Sequence, residues 1–348
     1  MPSSCASGVA TRYARECMVA TPPDSARARN RAPRMDDATA CALAASPSLV
    51  ELDALQSEHL SVVGVRALAA CTSLQTLDIS WCFRLRADAA RVLADSPSIT
   101  DLRIAGDIVG AEGIVALAAN TRLCRLDVNC NWIQDYGAAA LCRSPSITTL
   151  NVCGCGITSW GARALARMPT LTWLNAASNM IRDDGAAALS VAPRLTFLDA
   201  RHNAITSTGA VALAGSASLT HLNLGCNYVG ESSAAALRDA PALTHLNLSN
   251  TIMDECGLAR LLRSTTLTCL TFGPDTLSGV PFSMSDAAAR RLAWVFTPPA
   301  TLRRRYMGIC RELLRGRALV HARRARSGTW YARVPLWVIA STLRALIH

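Results

Sequence analysis

Apolar residues return along this chain on a fixed beat. Leu or Ile opens a nine-residue stretch, Leu follows three residues later, and a small or branched apolar residue comes two after that. The openings fall at Leu49, Leu74, Ile99, Leu123, Ile147, Leu171, Leu195, Leu219, Leu243 and Leu267, first 25 and then 24 residues apart. Alternation across the third to sixth positions predicts a short strand whose fourth residue points inward and whose third and fifth point outward. Small-residue runs follow in the second half of each unit, such as Gly137-Ala-Ala-Ala-Leu141 and Gly209-Ala-Val-Ala-Leu213, and predict a helix of about two turns. Pro145, Pro169, Pro193 and Pro241 sit between helix and next strand, where a missing N–H breaks no helix interior.

A unit this short cannot bury its own apolar face, so neighbours must stack. The expected fold is an α/β solenoid, a horseshoe with a concave parallel sheet and short convex helices, of about ten repeats over residues 38–285. Residues 1–37, rich in Ser, Ala, Arg and Pro, are expected to be a disordered N-terminal segment. Residues 286–348 are expected to form an Arg-rich helical cap and tail. In that segment Leu302, Tyr306, Ile309 and Leu313 recur at helical spacing and would cover the last repeat.

The ninth position of the unit reads Ser57, Cys82, Asp107, Asn131, Cys155, Asn179, Asn203, Asn227, Thr251, Asp275. A buried Asn there can satisfy backbone groups of adjacent turns where the strand ends. The repeat L-x-x-L-x-L-x-x-N is the leucine-rich-repeat pattern. Followed by G-A-x-A-L-A, it resembles the GALA-type leucine-rich-repeat proteins, bacterial type III effectors delivered into plant cells, and is similar to the broader ribonuclease-inhibitor-like repeat class. The resemblance covers about residues 39–285. It implies a protein-binding scaffold, located in the cytoplasm or delivered by a type III route into the host cytoplasm. It also implies a link to ubiquitin-ligase recruitment, although the F-box that GALA proteins carry ahead of their repeats has no counterpart in residues 1–37.

Charge narrows the partners. All 35 basic residues are Arg, and the total net charge is +10. Residues 286–348 hold 13 Arg against Asp286 and Glu312, whereas the repeats hold 16 Arg against 19 acids. A near-neutral solenoid is a poor match for nucleic acid, whose phosphates demand clustered positive charge. The basic tail leaves contact with nucleic acid or anionic lipid open. A chain without Lys follows from GC-rich coding; it also offers no ε-amine to ubiquitin. No apolar run reaches the roughly 18–20 residues of a membrane span. Residues 1–37 lack the apolar core of a secretory signal. The 14 cysteines fall largely at repeat positions that favour small apolar fillers, which points to a reducing compartment. Cys153-Gly-Cys155 with Cys130 is a weak metal pattern, and no cofactor or metal is expected.

The third position carries the candidate site. In four successive units it holds Trp173, Phe197, His221 and His245, about 5 Å apart at each step. Outward Trp and Phe on neighbouring strands suit an interface better than a solvated face. Asp199, Arg201 and His202 extend this patch toward the strand ends, beside a fifth-position row of Asp127, Asn151, Asn175, Asp199, Asn223 and Asn247. Such rows also arise from ladder packing alone, and the two His are the residue type of metal ligands and pH sensors. No phosphate loop, G-x-S-x-G or H-E-x-x-H occurs, so no catalytic residue is expected. A single enzymatic alternative remains, a ubiquitin ligase with catalytic Cys310 in the C-terminal segment. The expected partner is a protein on the concave face, bound by a monomer.

Overall fold

The computed structural model describes residues 35–106 and 109–273. Ten strands form one parallel sheet in strict sequence order. They are β1 (Glu51–Asp53), β2 (Thr76–Asp78), β3 (Asp101–Arg103), β4 (Arg125–Asp127), β5 (Thr149–Asn151), β6 (Trp173–Asn175), β7 (Phe197–Asp199), β8 (His221–Asn223), β9 (His245–Ser249) and β10 (Cys269–Gly273). Registers follow the repeat without slippage: Leu150, Leu174, Leu198, Leu222 and Leu246 face one another in turn. The fourth-position Leu residues are buried, as are the Leu or Ile residues that open the units, apart from the half-buried Leu49 and Leu270 at the two ends. The core is therefore a continuous ribbon between sheet and helices, with no break into domains.

The helices that close the ribbon include α1 (Asp37–Ala44), α2 (Val62–Ala70), α3 (Ala87–Ala94), α4 (Gly110–Ala119), α5 (Gln134–Leu141), α6 (Ser159–Leu165), α7 (Arg182–Ser190) and α8 (Ser207–Ala214). Their glycines permit close stacking. A Cβ on Gly185 would come within 3.0 Å of the Ala162 Cβ and nearer still to the Ile181 side chain. The described fold starts inside the segment expected to lack structure. Met35 is fully buried and its N–H donates to the Ser57 hydroxyl at 3.0 Å, while Asp36 caps α1. The rest of that N-terminal segment, residues 1–34, and the expected cap and tail at 286–348, including Cys310, lie outside the described residues.

The Asn row works as its position suggests. Asn179 Nδ2 donates to the carbonyls of Val152, Ala176 and Ala177 at 2.9–3.0 Å, and its Oδ1 accepts from Cys155 and Ile157 N–H at 3.1 and 2.9 Å. Each Asn thus ties its own turn to the one before. Where Cys takes the place, Cys155 Sγ reaches the Val128 carbonyl at 3.2 Å and, more distantly, that of Cys153.

A second-order pattern overlies the 24-residue unit. Asp135 Oδ1 accepts from the Thr158 and Gly161 N–H groups, and its Oδ2 from the Thr158 hydroxyl at 2.6 Å. Asp183 does the same for Thr206 and Gly209, and Asp37 for Ser61 and Gly64. Between these pairs the turn differs: Gln134 and Arg182 adopt left-handed φ of 56°, while Thr158 and Thr206 are extended. From Gln134 to Thr206 the repeats alternate in two turn types, with a period of 48; outside that stretch like turns adjoin, extended at Ser61 and Arg86, left-handed at Gly110 and Gln134, and extended from Thr206 through Gly230 to Asp254.

Candidate protein-binding face

Parallel register brings the third-position side chains into one row across the sheet, Trp173 beside Phe197 beside His221 beside His245. Their rings make a continuous stack. Trp173 and Phe197 lie nearly parallel with centroids 4.9 Å apart; Phe197 and His221 are tilted at 6.1 Å; His221 and His245 are parallel again at 4.0 Å. The first three are half-buried and His245 is exposed. Stacking covers ring faces and leaves ring edges toward the concave space, so the row presents a stiff strip of aromatic edges.

The histidines are fixed by a second row that the repeat pattern carried in plain sight. Thr148, Thr172, Thr196, Thr220, Thr244 and Thr268 occupy the second position, and each hydroxyl donates to the second-position carbonyl of the preceding unit at 3.0–3.2 Å. Thr220 and Thr244 also meet the Nδ1 of His221 and His245, both at 2.9 Å. With its one hydrogen given to a carbonyl, each hydroxyl can only accept there. Nδ1 therefore carries the proton and Nε2 keeps its lone pair, an assignment made from the hydrogen-bond network. Burial, and then the adjacent His245, hold the His221 imidazole below its ordinary pKa. In its neutral form each ring turns an acceptor edge, Nε2, toward the concave space.

The fifth-position row corrects the expectation in part. Asn151, Asn175 and Asp199, like Asp53 and Asp78, are buried, while Asp127, Asn223 and Asn247 are half-buried, because neighbours on strands about 4.8 Å apart crowd side chains that alternation alone would place outside. Their Oδ1 atoms accept from the backbone N–H two residues on, as in Asn151 to Cys153 and Asn175 to Ala177, at 3.1–3.2 Å. These are turns of the strand end, and the eighth position that follows adopts positive φ in Gln56, Trp81, Cys130, Ser178, His202, Cys226 and Asn250. Asp199 belongs to this wall. It is 2% exposed, and Arg201 Nε lies 3.0 Å from both of its carboxylate oxygens. Asp199 and Arg201 are brought together as a shielded ion pair. His202 stands exposed on the left-handed turn beyond them. One donor in the row, Asn175 Nδ2, is buried with no hydrogen-bond partner.

Toward the first repeats the face becomes charged. Asp101 receives Arg125 Nε at 2.9 Å and lies 3.7 Å from Arg103, which also approaches Asp78. Burial raises the Asp78 and Asp127 carboxyls above their ordinary values despite hydrogen bonds that favour the charged form. Among the described residues no group of three His, Cys, Asp or Glu is placed to hold a metal ion. Nor is any helix of the described residues long and apolar enough to cross a membrane. Cys41, Cys71, Cys82, Cys124, Cys142, Cys256 and Cys269 are free thiols, and Cys153 is buried beside Ala177 and the half-buried Cys130.

Comparison with known proteins gives matches to repeat families. A family model described as Leucine rich repeat matches residues 193–252, and a second of the same description matches 119–142 and 143–166. No curated protein matches the chain. Among solved structures, the chain is similar to an internalin C2 of Listeria monocytogenes at 19% identity and a TM-score of 0.42, over 61% of this chain and 83% of that one. An internalin F of the same organism shows 19% identity and a TM-score of 0.45, over 76% and 68%. The TLR13–ssRNA13 complex shows 20% identity and a TM-score of 0.46, over 66% and 36%.

Proposed function

We propose that this leucine-rich-repeat-type solenoid is a non-enzymatic scaffold that grips a target protein on its concave face through the Trp173–His245 strip. Solenoids of this class are protein-interaction modules, and the single observation that carries the reading is the four-ring stack. Its rings are held in place before any partner arrives, so little side-chain freedom is lost on binding. The edges on offer are apolar at Trp173 and Phe197 and hydrogen-bond accepting at the histidines. A target that lays apolar groups on the first pair and a donor on the second matches this strip.

The cellular setting of this reading is a bacterial effector acting in host cytoplasm and tied to ubiquitin-ligase recruitment. It rests on the GALA-like motif of the repeats. A resident cytosolic regulator using the same face is the competing setting. The Lys-free composition suits work beside a ubiquitin ligase.

The test is affinity capture from plant-cell lysate with the full chain and with Trp173→Ala/Phe197→Ala/His221→Ala/His245→Ala, after circular dichroism shows that both fold. Capture by the wild type and loss by the variant is the expected result. Equal capture by both would move function off the strip. An adaptor of a ubiquitin ligase among the captured proteins would support the effector setting, and ubiquitin transfer by the chain itself, lost in Cys310→Ser, would overturn the non-enzymatic reading.

A further inference from the structure

The two lateral rims of the solenoid differ in kind. Where helix passes to strand, the chain is small and polar, as in Ser46-Pro-Ser48, Ser96-Pro-Ser98, Ser144-Pro-Ser146 and Ser216-Ala-Ser218. Hydroxyls there are spent on the preceding unit: Ser98 donates to the Cys71 carbonyl at 2.6 Å and Ser146 to that of Leu123 at 2.8 Å. The opposite rim, where strand passes to helix, carries every exposed Phe, Trp and Tyr side chain among the described residues. These are Phe83, Trp132, Tyr136, Trp160 and Tyr228, with Met180 and Ile252 alongside. Trp132, Tyr136 and Trp160 cluster in adjacent repeats and are 65%, 66% and 71% exposed. Trp132 lies across Gly156, where an added Cβ would come within 3.1–3.2 Å of its ring, so the indole is held flat with its other face outward. Singly, exposed aromatics need no explanation, but their confinement to one rim does.

The same rim is acidic. All helix N-termini lie on it, and their first turns carry Asp37, Asp88, Glu112, Asp135, Asp183, Asp184 and Glu231, where the helix dipole favours negative charge. Flat aromatic faces among carboxylates match one chemistry above others, an Arg-rich polypeptide, whose guanidinium both stacks on indole and pairs with carboxylate. The rim already displays the contact once, with Arg163 5.5 Å above the Trp160 ring.

We propose that the occupant of this rim is the chain's own segment 286–348, docked in cis. Its 13 Arg against two acids are the charge complement, and the repeats supply no comparable basic stretch. Reach is ample. The six strand steps from β10 back to β4 span about 29 Å, and the 29 residues between Gly273 and Arg303 extend up to roughly 100 Å. This contact uses neither the concave strip nor its partner, so each reading can fail while the other stands.

The experiment is limited trypsin digestion of the full chain, which cleaves only after Arg because the chain has no Lys. Cleavage after Arg303 to Arg326 is expected to be about tenfold slower in the wild type than in Trp132→Ala/Trp160→Ala, reflecting the fraction of time the segment is released. High salt should erase the difference, and the rate should not depend on protein concentration. Equal rates in wild type and variant at low salt overturn the proposal; protection that grows with concentration assigns the rim to a second copy and overturns docking in cis. A second readout spares the rim: hydroxyl-radical labelling of Trp132 and Trp160 should rise in Arg303→Gln/Arg304→Gln/Arg305→Gln, and unchanged labelling there also counts against it.

Discussion

Removing one amide from the Asn row tests the account of how the repeats are tied together. Asn227 Oδ1 accepts from the Asn203 and Ile205 N–H groups at 2.9 and 3.0 Å, and Nδ2 donates to the carbonyls of Ala200, Leu224 and Gly225 at 2.8–3.2 Å. Asn227→Ala leaves two buried donors without partners, each costing about 1–3 kcal/mol, so a loss of about 2–5 kcal/mol is expected. Asn203 makes the same kind of tie with one accepted N–H instead of two, that of Ile181 at 3.1 Å. Asn203→Ala should therefore cost less, about 1–3 kcal/mol. Asn179, which accepts two, should fall with Asn227. Urea unfolding followed by far-ultraviolet circular dichroism gives the three values on one scale, provided the slope with denaturant is unchanged. The reasoning fails if Asn203→Ala costs as much as Asn227→Ala, or if all three cost under about 0.5 kcal/mol.

Three further outcomes are expected. Because the folded state disfavours the His221 imidazolium, the unfolded chain binds more protons between the folded pKa and about 6.5; stability should fall as pH drops through that interval, less steeply in His245→Gln, as midpoints of denaturant melts will show. Asp78 has the opposite sign: its raised pKa means stability is lost as pH rises through it, so Asp78→Asn, which keeps the acceptor for Ser80 N–H, should melt higher than wild type at pH 7 and lose that advantage below about pH 4. A Cβ at Gly209 would lie 2.6 Å from Asp183 Oδ1 and 2.8 Å from Ile205, so Gly209→Ala should destabilise by about 1–3 kcal/mol in the same melts.

The strands and the row they build were legible because spacing alone sets register. Residues 24 apart, from Trp173 to His245, must become neighbours once the units stack. The burial of Asn151, Asn175 and Asp199 at the fifth position was not legible, since alternation separates two faces of a sheet but says nothing of crowding between adjacent strands. The left-handed eighth position gave no warning either: Gln56, Trp81 and Cys130 hold it without glycine, because the Asx turn and the buried ninth residue impose it. The two-repeat alternation had a signal that the search for a 24-residue period hid, namely Asp at 135 and 183 and Thr at 158 and 206. The aromatic rim was overlooked for a related reason. Its large residues fall irregularly in the turns and first helical residues of the units, where neither helical nor strand periodicity draws attention to them.

That alternation also sets how such a chain can lengthen or shorten. A segment of 48 residues can be duplicated or lost and every Asp135-type carboxylate still meets a Thr158-type hydroxyl at the new junction. Between Gln134 and Thr206 an excision of 24 brings two turns of the same type together, with a carboxylate facing a carboxylate's place or a hydroxyl left without its acceptor. In that stretch the inheritable module is the pair, whereas toward the ends, where like turns already adjoin, single repeats can be gained or lost.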